Sequence, residues 1–264
     1  MSNSASTNPK QYKAFLLGTS ALVCLALAAP VMADDFVITS SDGSTNGVGT
    51  TNGATAAAIA ANDINGSHTV SLGIALTTTG TNVGIKTNNN DTEAQSNTVT
   101  VTGTGSITTG TGNNAHGIFN DGAYNTTTVS GSITTAGYGA TGIYNLGSTN
   151  TTTVSGSITT GGNYAYGIYN LGDDNKTTLS GSITTTGASS YGIVNLGSTN
   201  TTTVSGSITT EGDNAYGIYN LGSNNVTTVS GSIKTEGNNS HGIRNRGDDN
   251  VTTISGTVKA TGAS

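Results

Sequence analysis

The 264-residue chain holds 8 Lys and Arg against 14 Asp and Glu, one cysteine and no tryptophan, and only 8% of it is charged. A net charge of −6 argues against nucleic acid or an anionic membrane surface as partner, since both call for a basic patch. Few large apolar residues would by themselves suit a disordered chain, but the order of the residues contradicts that reading.

At the amino terminus, Lys10 and Lys13 precede a largely apolar run from Ala14 to Ala29, and then come Pro30, Val31, Met32 and Ala33. A basic start, an apolar middle and small residues before a cut after Ala33 predict a secretory signal over residues 1–33. The run is short for a membrane span, and the chain beyond it is polar. Cys24 raises lipid attachment as an alternative, but it lies in the middle of the apolar run behind Val23, where a small residue is wanted. Cleavage removes two of the eight basic residues and no acid, leaving six against fourteen, a net charge of −8, and no cysteine. An exported chain of this kind must be held by backbone pairing and packing alone.

Residues 34–66 contain Phe36, Val37, Ile38 and an Ala-rich run from Ala54 to Ala61, and are expected to cap the amino-terminal end of a stack of strands. Residues 67–98 carry Val70, Ile74, Gly84 and Ile85 at irregular spacing and read as degenerate copies of the regular repeat on their carboxy-terminal side. From residue 99 to 264 the sequence repeats every 25 residues. Gly131, Gly156, Gly181, Gly206, Gly231 and Gly256 each sit inside a Ser-Gly-Ser/Thr-Ile/Val unit. Gly-Ile pairs recur from Gly117-Ile118 to Gly242-Ile243, and Asn stands two residues after each Ile. A second Asn series runs Asn125, Asn150, Asn175, Asn200, Asn225, Asn250.

Within one unit Val154 and Ile158 share a parity, and Thr153, Ser155, Ser157 and Thr159 take the other. That alternation predicts a half-buried strand, and Ile168 marks a second, shorter one. One unit is too poor in apolar residues to bury a core, so neighbouring units must stack, placing Val154 on Val129 and Leu179. A 25-residue unit is too short for a propeller blade, and the Leu framework of a leucine-rich repeat is missing. The expected fold is therefore all-β: a parallel β-helix, or β-solenoid, of eight or nine coils.

The candidate ligand-facing residues are set by the outward parity. Thr153, Ser155, Ser157 and Thr159 form an array of hydroxyls suited to ice or carbohydrate, or simply to a soluble strand surface. Tyr144, Tyr169 and Tyr219 share one repeat position with Phe119 and are expected to face outward, as a sugar-stacking stripe or as stacking for stability. Tyr166, Tyr191 and Tyr216 share another position with His116 and His241 and fall by parity on the side of Ile168, beside the core-facing Gly. Asn145, Asn170, Asn195, Asn220 and Asn245 are expected to build an amide ladder at corners, where Asn tolerates left-handed geometry. The paired acids Asp173-Asp174 and Asp248-Asp249 lack the nine-residue Gly-rich period of calcium-binding repeats and read as solvated turns. His68, His116 and His241 lie in different coils with no nucleophile at a diagnostic spacing, so no catalytic residue, metal ligand or cofactor is assigned.

Repeats of the form Gly-Ser-Ile-Thr-Thr…Tyr-Gly-Ile-Tyr-Asn, after a signal peptide and in a cysteine-free acidic body, resemble the passenger domains of Gram-negative autotransporters. The resemblance spans residues 34–264. It implies a β-helix on the bacterial cell surface, or secreted, and leaves the activity open, since such passengers share a scaffold and differ in function. The absence of clustered acids, bases or a nucleophile is what sets the expectation of no enzymatic activity. The implied partners are an outer-membrane β-barrel translocator and host-cell or surface glycans and proteins. The chain departs from that family in carrying no run of amphipathic barrel strands after the repeats, and Ser264 comes just after the last repeated strand with nothing that reads as a cap. The expectation is thus a passenger fragment with a structural or adhesive role. The alternative is a free-standing secreted solenoid binding ice or glycans through its Thr/Ser or Tyr stripes.

Overall fold

The computed structural model describes residues 36–38, 64–65, 69–73, 75–88 and 96–263. The expected signal peptide, residues 1–33, lies outside the described residues, as does most of the expected cap over 34–66.

Three short strands make one coil. In a representative repeat they are Thr151–Val154, Ser157–Thr160 and Ile168–Asn170. Each pairs in parallel with its counterpart 25 residues away, as in Thr151↔Lys176, Ser157↔Ser182 and Ile168↔Ile193. The result is three parallel sheets of nine, eight and eight strands: a β-solenoid, all-β, with no helix among the described residues. Seven complete coils run from Thr69 to Asn245, with partial ones on either side. The irregular coils are threaded in the same sheets with longer offsets, for instance Thr98↔Thr126 and Ile85↔Ile118. The extra residues are taken up in the connections, so the columns stay aligned.

Parity along the sequence predicts one strand where the molecule has two. The alternation from Thr153 to Thr159 is real, but the chain bends at Ser155-Gly156 and passes from the first sheet to the second. The backbone N–H groups of Ser155 and Gly156 both donate to the Val129 carbonyl, at 2.8 and 3.0 Å. This draws the corner down onto the coil before it. A Cβ on Gly156 would overlap the Gly131 carbonyl oxygen and lie 2.6 Å from that of Ser130, so the corner requires glycine. Bend and alternation coexist because parity survives a turn that adds no residue.

The other two corners use left-handed residues. Tyr124, Thr149, Asp174, Thr199, Asn224 and Asp249 hold φ between 54° and 62° at the third-to-first corner. Asn114, Gly139, Tyr164, Ser189, Asn214 and Asn239 hold 53° to 66° at the second-to-third. The left-handed site is therefore the residue before Asn150 and its equivalents, not the repeated Asn itself. Except for Asp249 in the last described coil, each of these N–H groups is anchored to the next coil, as in Thr149 N–H to the Asp173 carbonyl at 2.9 Å and Tyr164 N–H to that of Ala188 at 3.0 Å.

The core is a set of columns. Val129, Val154, Leu179, Val204 and Val229 come from the first sheet, Ile133 to Ile233 from the second, and Ile118 to Ile218 from the third, all at most 1% exposed. Each such side chain contributes about 1.5–3 kcal/mol through burial. A polar layer is equally buried. Thr152 and Thr160 are fully buried, and Thr160 Oγ1 donates to the Ala165 carbonyl at 2.8 Å.

Candidate functional site

The expected Asn ladder exists, inside the solenoid. Asn145, Asn170, Asn195 and Asn220 end the third-sheet strands with no exposed surface; Asn245 belongs to the same column in the last described third-sheet strand, where it is exposed. Each Nδ2 of Asn145, Asn170 and Asn195 donates to the Oδ1 one coil on, at 2.7, 2.8 and 2.7 Å. The same nitrogens reach Thr152, Thr177 and Thr202 Oγ1 at 3.1 Å. These residues sit in strands rather than at the expected corners, with their side chains stacked inward on their copies. The second Asn series clamps the adjacent corner: Asn150 Oδ1 accepts the Asn125 N–H at 2.7 Å, and its Nδ2 donates to the Gly147 carbonyl at 2.8 Å. Asn97, at an irregular spacing, joins this series through Asn125 Oδ1 at 3.1 Å. Period alone could not find it.

The hydroxyl residues point outward, but on two faces. Thr153 belongs to the first sheet, Ser155 is exposed at the bend, and Ser157 and Thr159 belong to the second sheet. Between the faces runs an open groove of about 960 Å³ whose floor is Gly131, Gly156 and Gly181 and whose rims include Ser155 and Ser157. The first sheet carries a further outward rank that the sequence pattern did not single out. Thr151 stands beside Thr153, in register with Thr126/Thr128 and Lys176/Thr178. The paired acids take part in turns: Asp174 occupies a left-handed site, and Asp173 Oδ1 accepts the Ser198 N–H at 2.7 Å.

The aromatic residues do not form two separate columns. Tyr166 does not fill the space beside Gly167. A Cβ there would overlap the Ile183 γ2 methyl and come 2.5 Å from the Gly192 carbonyl oxygen, so aliphatic packing already claims that volume. Tyr166 turns outward and joins Tyr169 at 5.3 Å between ring centroids. One ladder results. It runs from Phe119 to Tyr144 (5.1 Å) and Tyr169 (4.8 Å), crosses to Tyr166, and continues through Tyr191 (5.3 Å) and Tyr216 (4.8 Å) to His241 (5.2 Å). Tyr219 packs against Tyr191 edge-on at 5.6 Å, and Val194, in register between Tyr169 and Tyr219, is left 2% exposed. His116 stacks on Tyr144 at the other end. Cations cap both ends: Lys86 lies 5.3 Å from the Phe119 centroid and Arg244 5.1 Å from that of Tyr216, with Arg244 also bonded to the Tyr216 hydroxyl.

This packing sets the ladder's chemistry. Burial, then the neighbouring phenols, push Tyr166, Tyr169 and Tyr191 up to about 12. Burial, then Asp121, raises Tyr144. Burial lowers His116 to about 4, and its Nδ1 accepts the Thr141 N–H at 3.1 Å, so the imidazole is neutral at physiological pH. Ring faces cover one another at interplanar angles of 11° to 27° along most of the stack. Such stacking is the geometry that aromatic pairs adopt for stability. Among the described residues no three His, Cys, Asp or Glu side chains are grouped to hold a metal ion.

Compared with known proteins, the chain matches no family, no curated protein and no solved structure. The class of protein is defined by the fold alone: a parallel β-solenoid of 25-residue coils with an internal Asn ladder and an external aromatic ladder.

Proposed function

We propose that this chain is an exported, non-catalytic surface module with a structural or adhesive role, of the kind that autotransporter passengers supply. The observation that carries the reading is the sameness of the surface. The outward ranks of the first two sheets repeat hydroxyls coil after coil in strict register, as in Thr153↔Thr178↔Thr203 and Thr134↔Thr159↔Thr184. A repeated wall suits many weak contacts with surface glycans or proteins, summed by multivalency, whereas catalysis needs one unlike cluster. Export rests on the sequence of residues 1–33, and an outer-membrane β-barrel is the translocator this reading requires.

The test is protease shaving and antibody labelling of intact cells that produce the natural protein, and then binding of the purified solenoid to host cells and glycan arrays. Surface labelling and saturable binding are expected. Retention in the cytoplasm would overturn export, and a surface protein that binds nothing would leave only the structural role.

A second reading has its own observation. Two Thr ranks stand side by side on the first sheet, Thr126/Thr128, Thr151/Thr153 and Thr201/Thr203, interrupted by Lys176 and Val226. Such a lattice fits ordered water, and thermal hysteresis lost on Thr153→Tyr would favour a free ice-binding solenoid.

A further inference from the structure

Two tyrosines flank the ladder without stacking into it, close enough for their phenols to join burial and Tyr169 in raising Tyr166. Tyr138 and Tyr164 occupy the second-to-third corner of adjacent coils and are 54% and 49% exposed. Their centroids are 5.4 Å apart, with planes inclined by 52°. The backbone beneath is fixed. Tyr164 is held at φ 56° with its N–H on the Ala188 carbonyl at 3.0 Å, and the Tyr138 carbonyl accepts the Asn114 N–H at 2.8 Å. Residue 139, which precedes Tyr164 by one repeat in the same column, is glycine. No side chain of that column therefore intrudes between the two rings. Beyond Cys24 the chain has no cysteine, so no disulfide can join its coils.

We propose that Tyr138 and Tyr164 are an oxidative coupling site, at which a haem peroxidase with hydrogen peroxide joins the two rings as dityrosine and covalently staples neighbouring coils. Each phenol gives up one electron and its hydroxyl proton. The two phenoxyl radicals combine at carbons ortho to oxygen, forming one carbon–carbon bond. The hydrogens on those two carbons then leave as protons while the oxygens regain protons from water, restoring both aromatic rings. The pair loses two electrons and two protons in all, and one hydrogen peroxide takes them up to become two waters.

Proximity makes the coupling effectively unimolecular. The stacked ladder tyrosines compete poorly. The Tyr166, Tyr169 and Tyr191 phenols hold their protons to about 12, and their stacked rings cannot swing edge to edge without unpacking. The Tyr138 and Tyr164 rings are about half exposed to solvent and inclined rather than stacked, so their edges are accessible to each other.

The experiment treats the full chain, kept dilute, with haem peroxidase and hydrogen peroxide. Digestion with elastase, which cuts after small residues such as Ala140 and Val154, separates the two tyrosines. A cross-linked pair of peptides carrying Tyr138 and Tyr164, lighter than their sum by two hydrogens, is expected together with dityrosine fluorescence. Tyr138→Phe and Tyr164→Phe should each abolish it, and Tyr191→Phe should leave it unchanged. Circular dichroism of each variant verifies the fold. Dityrosine that maps to ladder residues, that forms only between separate chains, or that fails to form would overturn the proposal.

Discussion

Asn170 gives its side-chain amide to Asn195 in the next coil at 2.8 Å, and the same nitrogen reaches Thr177 Oγ1 at 3.1 Å. One buried group thus ties the third sheet to itself and to the first sheet. Replacing it with Ala leaves Asn195 Oδ1 and Thr177 Oγ1, both fully buried, without that donor. Asn170→Ala is therefore expected to cost about 2–3 kcal/mol. Chemical denaturation measures this, and a loss below about 0.5 kcal/mol would mean that the ladder is a consequence of the fold rather than a support for it.

Two glycines six residues apart should behave oppositely. An Ala at Gly167 meets the Ile183 side chain and the Gly192 carbonyl oxygen, whereas at Gly161 the nearest atom is 3.7 Å away. Gly167→Ala should destabilise by about 3 kcal/mol through overpacking. Gly161→Ala should be neutral or slightly stabilising, since the coil before it already carries Ala136 there. Equal thermal midpoints for the two variants would contradict the close packing assigned to the Gly-Ile unit.

Stability should depend on pH at both ends of the range. His116 is lowered to about 4 in the folded chain against about 6.5 when unfolded. Between these values the unfolded state binds more protons, so stability is full above about 6.5 and falls as pH drops towards 4, by at most about 3 kcal/mol. The Tyr166, Tyr169 and Tyr191 phenols are raised to about 12. There the folded state keeps the proton longer, so their contribution is present below pH 10 and is lost as pH rises through 12. Denaturation curves against pH for the parent and for His116→Phe check the acid arm by its slope. Identical slopes between pH 4 and 6.5 would remove His116 from the account.

Thr149 and Thr199 are β-branched residues in the left-handed region, at φ 61° and 58°, where such side chains are strained. Asn224 fills the same repeat position at 57°. Thr199→Asn should therefore stabilise by about 1 kcal/mol, read as a raised thermal midpoint. A lowered midpoint would show that the threonine side chain contributes more than its strain costs.

Much of this was legible in residue order. Val154 and Ile158, repeated every 25 residues, required stacked parallel strands, because no other arrangement buries so few aliphatic groups. The outward parity of Thr153, Ser155, Ser157 and Thr159 was equally plain. The bend at Gly156 was not, since an alternation of two looks the same whether the strand runs straight or turns a corner. The Tyr166 side chain was misplaced for the related reason that parity counts only within a strand, and Tyr166 precedes the strand Ile168–Asn170.

The sequence by itself determined the repeat, the parallel all-β stack, the aliphatic columns and the Asn ladder, because identical residues at a fixed period have to lie on one another. Only the tertiary structure decided what lies between the columns. It divided the hydroxyls between two faces, moved the left-handed sites from the repeated Asn to the residues before it, and merged two Tyr positions into one ladder. Those outcomes depend on how closely one coil approaches the next: Gly156 must fit against the Gly131 carbonyl and Ile183 must fill the space that Gly167 leaves. Such distances exist only once the coils are stacked.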